Sequence, residues 1–261
     1  AGLRDLLAQH NITSVVHLAS IVNPGKDSDR AFEYSVDVEG TRNVVEACLA
    51  TGVRQLVVTS SGAAYGYWPD NPDWIEETDP IRGNESFAYS HHKRLVEEML
   101  AEYRASHPEL GQLILRPGTV LGAGLRNQIT NLFFKPFVLG VAGSPAPFVF
   151  IWDDDVAAII VRGVVEARQG IYNLAGDGAL PMREIARRLG KPYLPLPAWL
   201  LRGALTVLKP LGLSRYGPEQ VDFLRYRPVL SNRRLKEEFG YTPRKTSAEA
   251  FEAFMQDAGL G

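Results

Sequence analysis

Tyr89 and Lys93 stand four residues apart in FAYSHHKRLVEEML, a segment with helical patterning, and Ser61 closes an apolar run well upstream. Positions i and i+4 of a helix share a face, which would set the phenol and the ammonium side by side. An ammonium in that place favours the phenolate and is expected to bring the tyrosine down from about 10 toward working pH. A serine hydroxyl opposite them can hold a substrate oxygen while the phenol takes or gives its proton. The chemistry of such a trio is hydroxyl/carbonyl interconversion, with hydride carried by a nicotinamide.

Spacing alone is a weak signal in a chain with ten tyrosines. A second match, Tyr241 and Lys245, has Pro243 between its members, which spoils a helix and predicts a surface turn. Around Tyr89 the context differs. Ser86 is placed to cap the helix, and Leu95, Val96, Met99 and Leu100 continue an apolar stripe.

The elements that must position the trio alternate in type. Periodicity predicts helices over 3–10, 37–51 and 88–106, and strands over 14–19, 55–60 and 112–116. Short apolar runs between helices argue for a parallel sheet covered on both faces, with ligands bound at the carboxyl ends of its strands. Those ends carry Ala19, Ser20, Ser60, Ser61, Pro117 and Gly118. From about Gly122 prolines become frequent and the alternation breaks down, apart from a helix expected over 155–167 and a strand over 170–175.

Six segments arrive in one order: VVHLAS, VDVEGTRNVVEAC, LVVTSSGAAYG, YSHHK, LRPGTVLG and IWDDDVA. Together they resemble the extended short-chain dehydrogenase/reductases, the NAD-dependent epimerase/dehydratase family. The resemblance implies an α/β fold, a Rossmann-like doubly wound parallel sheet with a small C-terminal substrate lobe. Residues 1–121 would be the NAD(P)-binding core and 122–261 mainly the lobe, with 151–176 returning to the core. It implies Ser61, Tyr89 and Lys93 as catalytic residues. The cofactor, NAD or NADP with NAD favoured, would be held by Leu18, Ala19, Ser20, Asp37, Ser60, Tyr89, Lys93, Pro117 and Gly118. The activity expected is that of an NAD(P)-dependent oxidoreductase or epimerase acting on a small or apolar substrate. The alternatives are a nucleotide-sugar epimerase or dehydratase and a non-catalytic dinucleotide-binding relative.

Departures from the family pattern matter as much as matches. No G-x-G-x-x-G or G-x-x-G-x-x-G occurs, so the usual pyrophosphate cradle at a helix N-terminus is missing. The chain opens on LRDLLAQHN, like the helix before the family's fourth strand, and is read as the C-terminal portion of a longer protein, about sixty to seventy residues short of the usual plan. Asp37 replaces the usual asparagine. Nucleotide-sugar members carry an arginine in the strand before D-V-A, where this chain has Phe148; Arg126 or Arg225 could stand in. PAWLLRGALTVLKPLGL is expected to pack on the core of the lobe in preference to walling the substrate.

The remaining candidates are read conservatively. His91 and His92 are expected to face solvent, His17 to pack under the rim, and Asp155 to cap the helix that follows it. Cys48, the single cysteine, is placed in the core, with no disulfide framework and no metal site expected. Net charge of −2 and pI near 6.3 give no argument for nucleic acid or an anionic membrane, and no eighteen-residue apolar span occurs. A cytoplasmic enzyme with a small-molecule substrate is expected. Val38, Val44 and Leu49 on one helix and Leu95, Met99 and Tyr103 on another are surplus apolar residues for a homodimer through helices 38–51 and 89–106.

Overall fold

The computed structural model describes residues 2–22, 29–127, 129–213 and 217–260. The chain begins with α1 (Gly2–Gln9), β1 (Ser14–His17), α2 (Arg30–Tyr34), a π-helical turn Ser35–Glu39 and α3 (Gly40–Thr51). β2 (Gln55–Thr59), a 3₁₀ turn Gly62–Tyr65, α4 (Ala88–Ser106) and β3 (Gly111–Pro117) follow. Then come β4 (Thr119–Leu121), α5 (Thr130–Phe133), β5 (Val138–Val141), β6 (Phe150–Trp152), α6 (Asp153–Val165) and β7 (Gly170–Leu174). The last elements are α7 (Met182–Arg188), β8 (Tyr193–Leu196), α8 (Ala198–Leu208), α9 (Gln220–Arg225), α10 (Arg233–Glu237) and α11 (Ser247–Asp257).

β1, β2, β3 and β7 form one parallel sheet in that order. β2 and β3 are buried along nearly their whole length; most of their residues are apolar, and the buried polar ones, such as Gln55 and Arg116, are hydrogen-bonded. One face is covered by α1, α3 and α4, through Leu7, Val45, Cys48, Val96 and Leu100 against Leu56, Val58 and Ile114. The other is covered by α6 and α10, through Ile159, Leu235 and Phe239 against Val57, Leu113 and Leu115. This is the doubly wound, Rossmann-like sheet. Two small parallel pairs, β4 with β6 and β5 with β8, build the lobe around an aromatic cluster of Phe133, Phe148, Phe150, Phe251 and Phe254.

Several local expectations need correction. The helix expected over 37–51 starts earlier, since α2 runs through the π-helical turn into α3; Gly52, left-handed at φ 72°, ends it and returns its N–H to Cys48 and Leu49. Ser86 does not cap α4. The N-cap position is Phe87, and the start of the helix is tied down by Ser90, whose hydroxyl accepts from the Asn84 amide and donates to the Ala63 carbonyl. Gly83 packs so closely there that a Cβ would lie 2.1 Å from the Ser90 carbonyl oxygen. Asp155 is not a cap either; Trp152 holds that position, and the buried Asp155 accepts from Tyr241 Oη at 2.7 Å and from the Arg244 amide. α8 buries none of its residues, so it does not pack on the core of the lobe; two ion pairs, Arg202 to Asp222 and Lys209 to Glu219, tether it to α9 and its approach.

Of the six residues expected to face a partner subunit, Val38 and Met99 are buried within the chain. Val44, Leu49, Leu95 and Tyr103 pack, partly buried, on the cluster beneath α3 and α4. Among the described residues no helix is long and apolar enough to cross a membrane.

Candidate active site

Parallel register brings the carboxyl ends of β1, β2 and β3 to one rim, and the chemistry-bearing residues gather there. Ser60 and Ser61 follow directly on β2. The Ser61 hydroxyl accepts from the Ala63 amide at 3.1 Å, holding the mouth of the 3₁₀ turn. α4 crosses behind this turn and presents Tyr89 and Lys93. Lys93 Nζ donates to the Thr59 carbonyl at 2.9 Å and lies 5.5 Å from the centre of the Tyr89 ring.

The ionisation of the pair differs from expectation. Burial raises the Tyr89 phenol to about 12 and outweighs the hydrogen bond with Ser61, which acts downward; the negative charge of Asp37 adds to the rise. Burial also lowers Lys93 to about 8, although Asp37 and Glu97 oppose it. The expected acidification of the tyrosine is therefore not a property of this arrangement. Desolvation wins, and an ammonium set over a ring face does little for the phenolic oxygen.

Beneath the rim lies a buried polar network. Glu97, one further helical turn from Lys93 on the same face of α4, accepts from Ser60 Oγ and from Arg116 on β3. Although burial opposes its charge, Arg116 is held above the ordinary guanidinium range by Glu97. Its Nη1 reaches Tyr65 Oη at 2.6 Å, and Tyr65 donates to Asn173 on β7 at 2.8 Å. The backbone N–H of Asn173 in turn donates to Glu77 at 2.7 Å. β3, the 3₁₀ turn, β7 and the Glu77 segment are thus tied to Ser60 and to the helix that carries Tyr89 and Lys93.

A second buried pair lies on the other side of α4. Asp37, in the π-helical turn, accepts from Ser20 Oγ at 2.9 Å, from the Ile21 amide at 2.8 Å and from His92 Nδ1 at 3.0 Å. His92 is buried, not solvent-facing, because α4 turns that position toward the π-helical segment; Tyr34 meets its ring edge-on at 5.7 Å. His91 is half-buried. His17 does pack beneath the rim, bonded to Thr41 at 2.9 Å and lowered by burial.

A cavity of about 650 Å³ opens between this rim and the lobe. Leu18, Ser20, Ser60, Ser61, Tyr89, Lys93, Pro117 and Gly118 line it, whereas Ala19 and Asp37 do not. The lobe supplies the opposite wall, including Asn127, Ile129, Phe148 and Arg227. Arg126 and Arg225 are not on that wall. Arg227 is, with its guanidinium carbon 3.8 Å over the Phe148 ring, lowered to about 10 by burial, and its Nε without a hydrogen-bond partner among the described residues. Sequence reading gave no role at the site to Arg227 or Glu97 and expected His92 to face solvent. Only Glu97 had a visible signal, the continued spacing of four from Tyr89 through Lys93.

Comparison with known proteins agrees with this architecture. A model of the NAD dependent epimerase/dehydratase family matches residues 1–175. An uncharacterized protein of Mycobacterium tuberculosis is 24% identical over 259 residues, which span 99% of this chain and 69% of that protein. The solved structure of MoeE5 in complex with UDP-glucuronic acid and NAD superposes with a TM-score of 0.73 at 21% identity, covering 99% of this chain and 82% of that one. The UDP-glucose 4-epimerase of Thermus thermophilus in complex with NAD gives 0.70 at 24% identity, covering 98% and 80%.

Proposed function

This chain belongs to the NAD dependent epimerase/dehydratase family, and from that premise we propose that it forms the catalytic part of an NAD(P)-dependent oxidoreductase or epimerase interconverting a hydroxyl and a carbonyl. The observation that carries the reading is the convergence of Ser61, Tyr89 and Lys93 on one cavity at the carboxyl rim of the sheet. The residues present suit the nicotinamide end of a dinucleotide. Lys93 spends one hydrogen bond on Thr59 and lines the same cavity, so an ammonium donor is at hand, while Leu18, Pro117 and Gly118 offer an apolar floor. NAD is favoured over NADP by the neighbours of similar fold, which were solved with NAD.

When bound, the nicotinamide would supply or accept hydride. Everything else falls to this chain. Ser61 holds the substrate oxygen beside Tyr89 Oη, and Tyr89 gives or takes the hydroxyl proton. A phenol near 12 is a poor base and a competent proton donor to a forming alkoxide, which favours the carbonyl-to-hydroxyl direction in this arrangement. Phe148 and Val149 give the opposite wall an apolar surface.

Arg227 favours a second reading within the same class. A buried guanidinium on the cavity wall, its Nε unpaired among the described residues, suits a phosphate or carboxylate better than a purely apolar alcohol. A nucleotide sugar fits that preference. Turnover of UDP-sugars compared with apolar alcohols separates the two readings, net NAD reduction being followed by absorbance and epimerisation, which leaves no net NADH, by NMR of the sugar. The catalytic assignment is tested by Tyr89→Phe, which should abolish turnover whichever substrate is used.

A further inference from the structure

α8 is mostly apolar in sequence yet buries no residue. At about 100° per residue its side chains fall into three arcs. Leu201, Leu205 and Leu208 are half-buried and make the side turned to the protein. Trp199, Leu200, Gly203, Ala204 and Val207 make a second arc, which is exposed. Arg202 and Thr206, with Lys209 just past the helix end, make the third, which borders the exposed arc at Trp199. Beyond the helix the chain folds back, the Gly212 N–H donating to the Lys209 carbonyl and the Leu213 N–H to the Leu208 carbonyl, each at 3.0 Å. Leu211 and Leu213 stay exposed on that turn, as does Leu194 on β8. Exposed apolar residues are ordinary when single; six large ones within residues 194–213 mark a surface that meets something apolar.

Charge indicates what that is. Residues 185–213 hold no aspartate or glutamate and five basic residues, Arg187, Arg188, Lys191, Arg202 and Lys209, in a chain whose net charge is −2. The whole-chain sum, which gives no argument for a membrane, averages this asymmetry away. Arg202 and Lys209 reach out of the stretch to Asp222 and Glu219, and Arg187 and Arg188 to Glu184 and Glu252. These are surface pairs of little worth, in which a lipid phosphate can replace the carboxylate. A stable contact between two protein copies engages about 20–30 residues a side, more than one helix face and its flanks offer. An interfacial helix needs only an apolar arc, a cationic border and an aromatic side chain at headgroup level.

We propose that α8 is a membrane-surface helix, which lies in the headgroup region of an anionic bilayer with Trp199, Leu200 and Val207 inserted and Arg202 and Lys209 at the level of the phosphates. The proposal holds or fails whatever the cavity catalyses.

Co-sedimentation of the chain with vesicles of phosphatidylcholine and phosphatidylglycerol, set against vesicles of phosphatidylcholine alone, tests it. The chain should pellet with the mixed vesicles, stay largely in solution with the neutral ones, and be released by added salt. Trp199→Ser combined with Val207→Ser changes exposed side chains only, so circular dichroism should be unaltered while vesicle affinity falls about tenfold or more. Arg202→Gln combined with Lys209→Gln should lower affinity for the mixed vesicles about fivefold. A chain that stays in solution with mixed vesicles overturns the proposal, as does wild-type pelleting by either double variant or equal binding to neutral vesicles. A concentration-dependent dimer in sedimentation, dissociated by the Trp199 and Val207 substitutions and indifferent to vesicles, also overturns it and gives the face to a second copy of the chain.

Discussion

The sheet half and the lobe are held together by different means, and the cavity lies where they meet. Under the sheet rim, stability and geometry depend on buried polar groups with single solutions: Arg116 on Glu97, Tyr65 on Asn173, Asp37 on His92. The lobe relies on stacked aromatics, Phe148 on Phe150 at 5.4 Å and Phe150 on Phe251 at 5.4 Å, and leaves a whole apolar helix, α8, without a buried residue. Hydrogen-bonded charges tolerate little displacement, whereas apolar contacts can be repacked. The wall proposed to perform chemistry is thus the one fixed by polar bonds, and the wall proposed to select substrate is the one held by apolar contacts.

That contrast can be broken most directly at the site itself. Tyr89→Phe should lower kcat by about 10³-fold with an unchanged melting temperature, measured by steady-state kinetics and circular dichroism. Next in size come two deletions of similar cost. Glu97→Ala leaves the Arg116 charge buried and unpaired and should cost about 3–5 kcal/mol in urea unfolding; Phe251→Ala opens the aromatic cluster of the lobe for about 3–5 kcal/mol. Only the first should also impair turnover under conditions where both variants are folded. Equal loss of activity in the two would erase the distinction between the halves.

The pH dependence sharpens it further. Lys93 is lowered from its ordinary 10.5 to about 8 in the folded chain, so between those values the unfolded chain binds more protons. Its cost to folding is therefore full below pH 8 and disappears as pH rises toward 10.5, a gain on the order of 3 kcal/mol. Lys93→Met should flatten that segment of the stability profile. On the lobe side, Arg227→Met should raise KM for a phosphate-bearing substrate roughly tenfold or more, without loss of stability. The smallest effect belongs to α8: Trp199→Ser, at a side chain 74% exposed, should shift stability by no more than about 0.5 kcal/mol.

The same contrast governs how far the sequence could be read. β2 and β3 announce themselves as unbroken apolar runs, α4 occupies the span expected for it, and Ser61, Tyr89 and Lys93 do meet, because each follows a local period or a strand end. What was hidden depended on contacts between distant segments. Burial of His92 needs the π-helical turn opposite, and the ionisation of Tyr89 follows from its desolvation in the folded chain. Arg227 reaches the cavity only through the fold of the lobe. α8 misled in the opposite direction: its apolar composition signals a core helix, yet composition says nothing about whether any partner surface exists within the chain.

The network beneath the rim also bears on how the molecule folds. Tyr65 and Asn173 are 108 residues apart, and Ser60, Glu97 and Arg116 come from three further points along the chain. The Ser60, Glu97 and Arg116 bonds need only the β2–α4–β3 unit, but the Tyr65–Asn173 bond cannot form until β7 has joined β3, and closing such a loop costs entropy before any contact repays it. That last bond should therefore be set after the transition state, with φ-values near zero for Tyr65 and Asn173 and higher ones for Val57 and Leu113. By that ordering, substitutions at Tyr65 or Asn173 speed unfolding and leave the folding rate nearly unchanged.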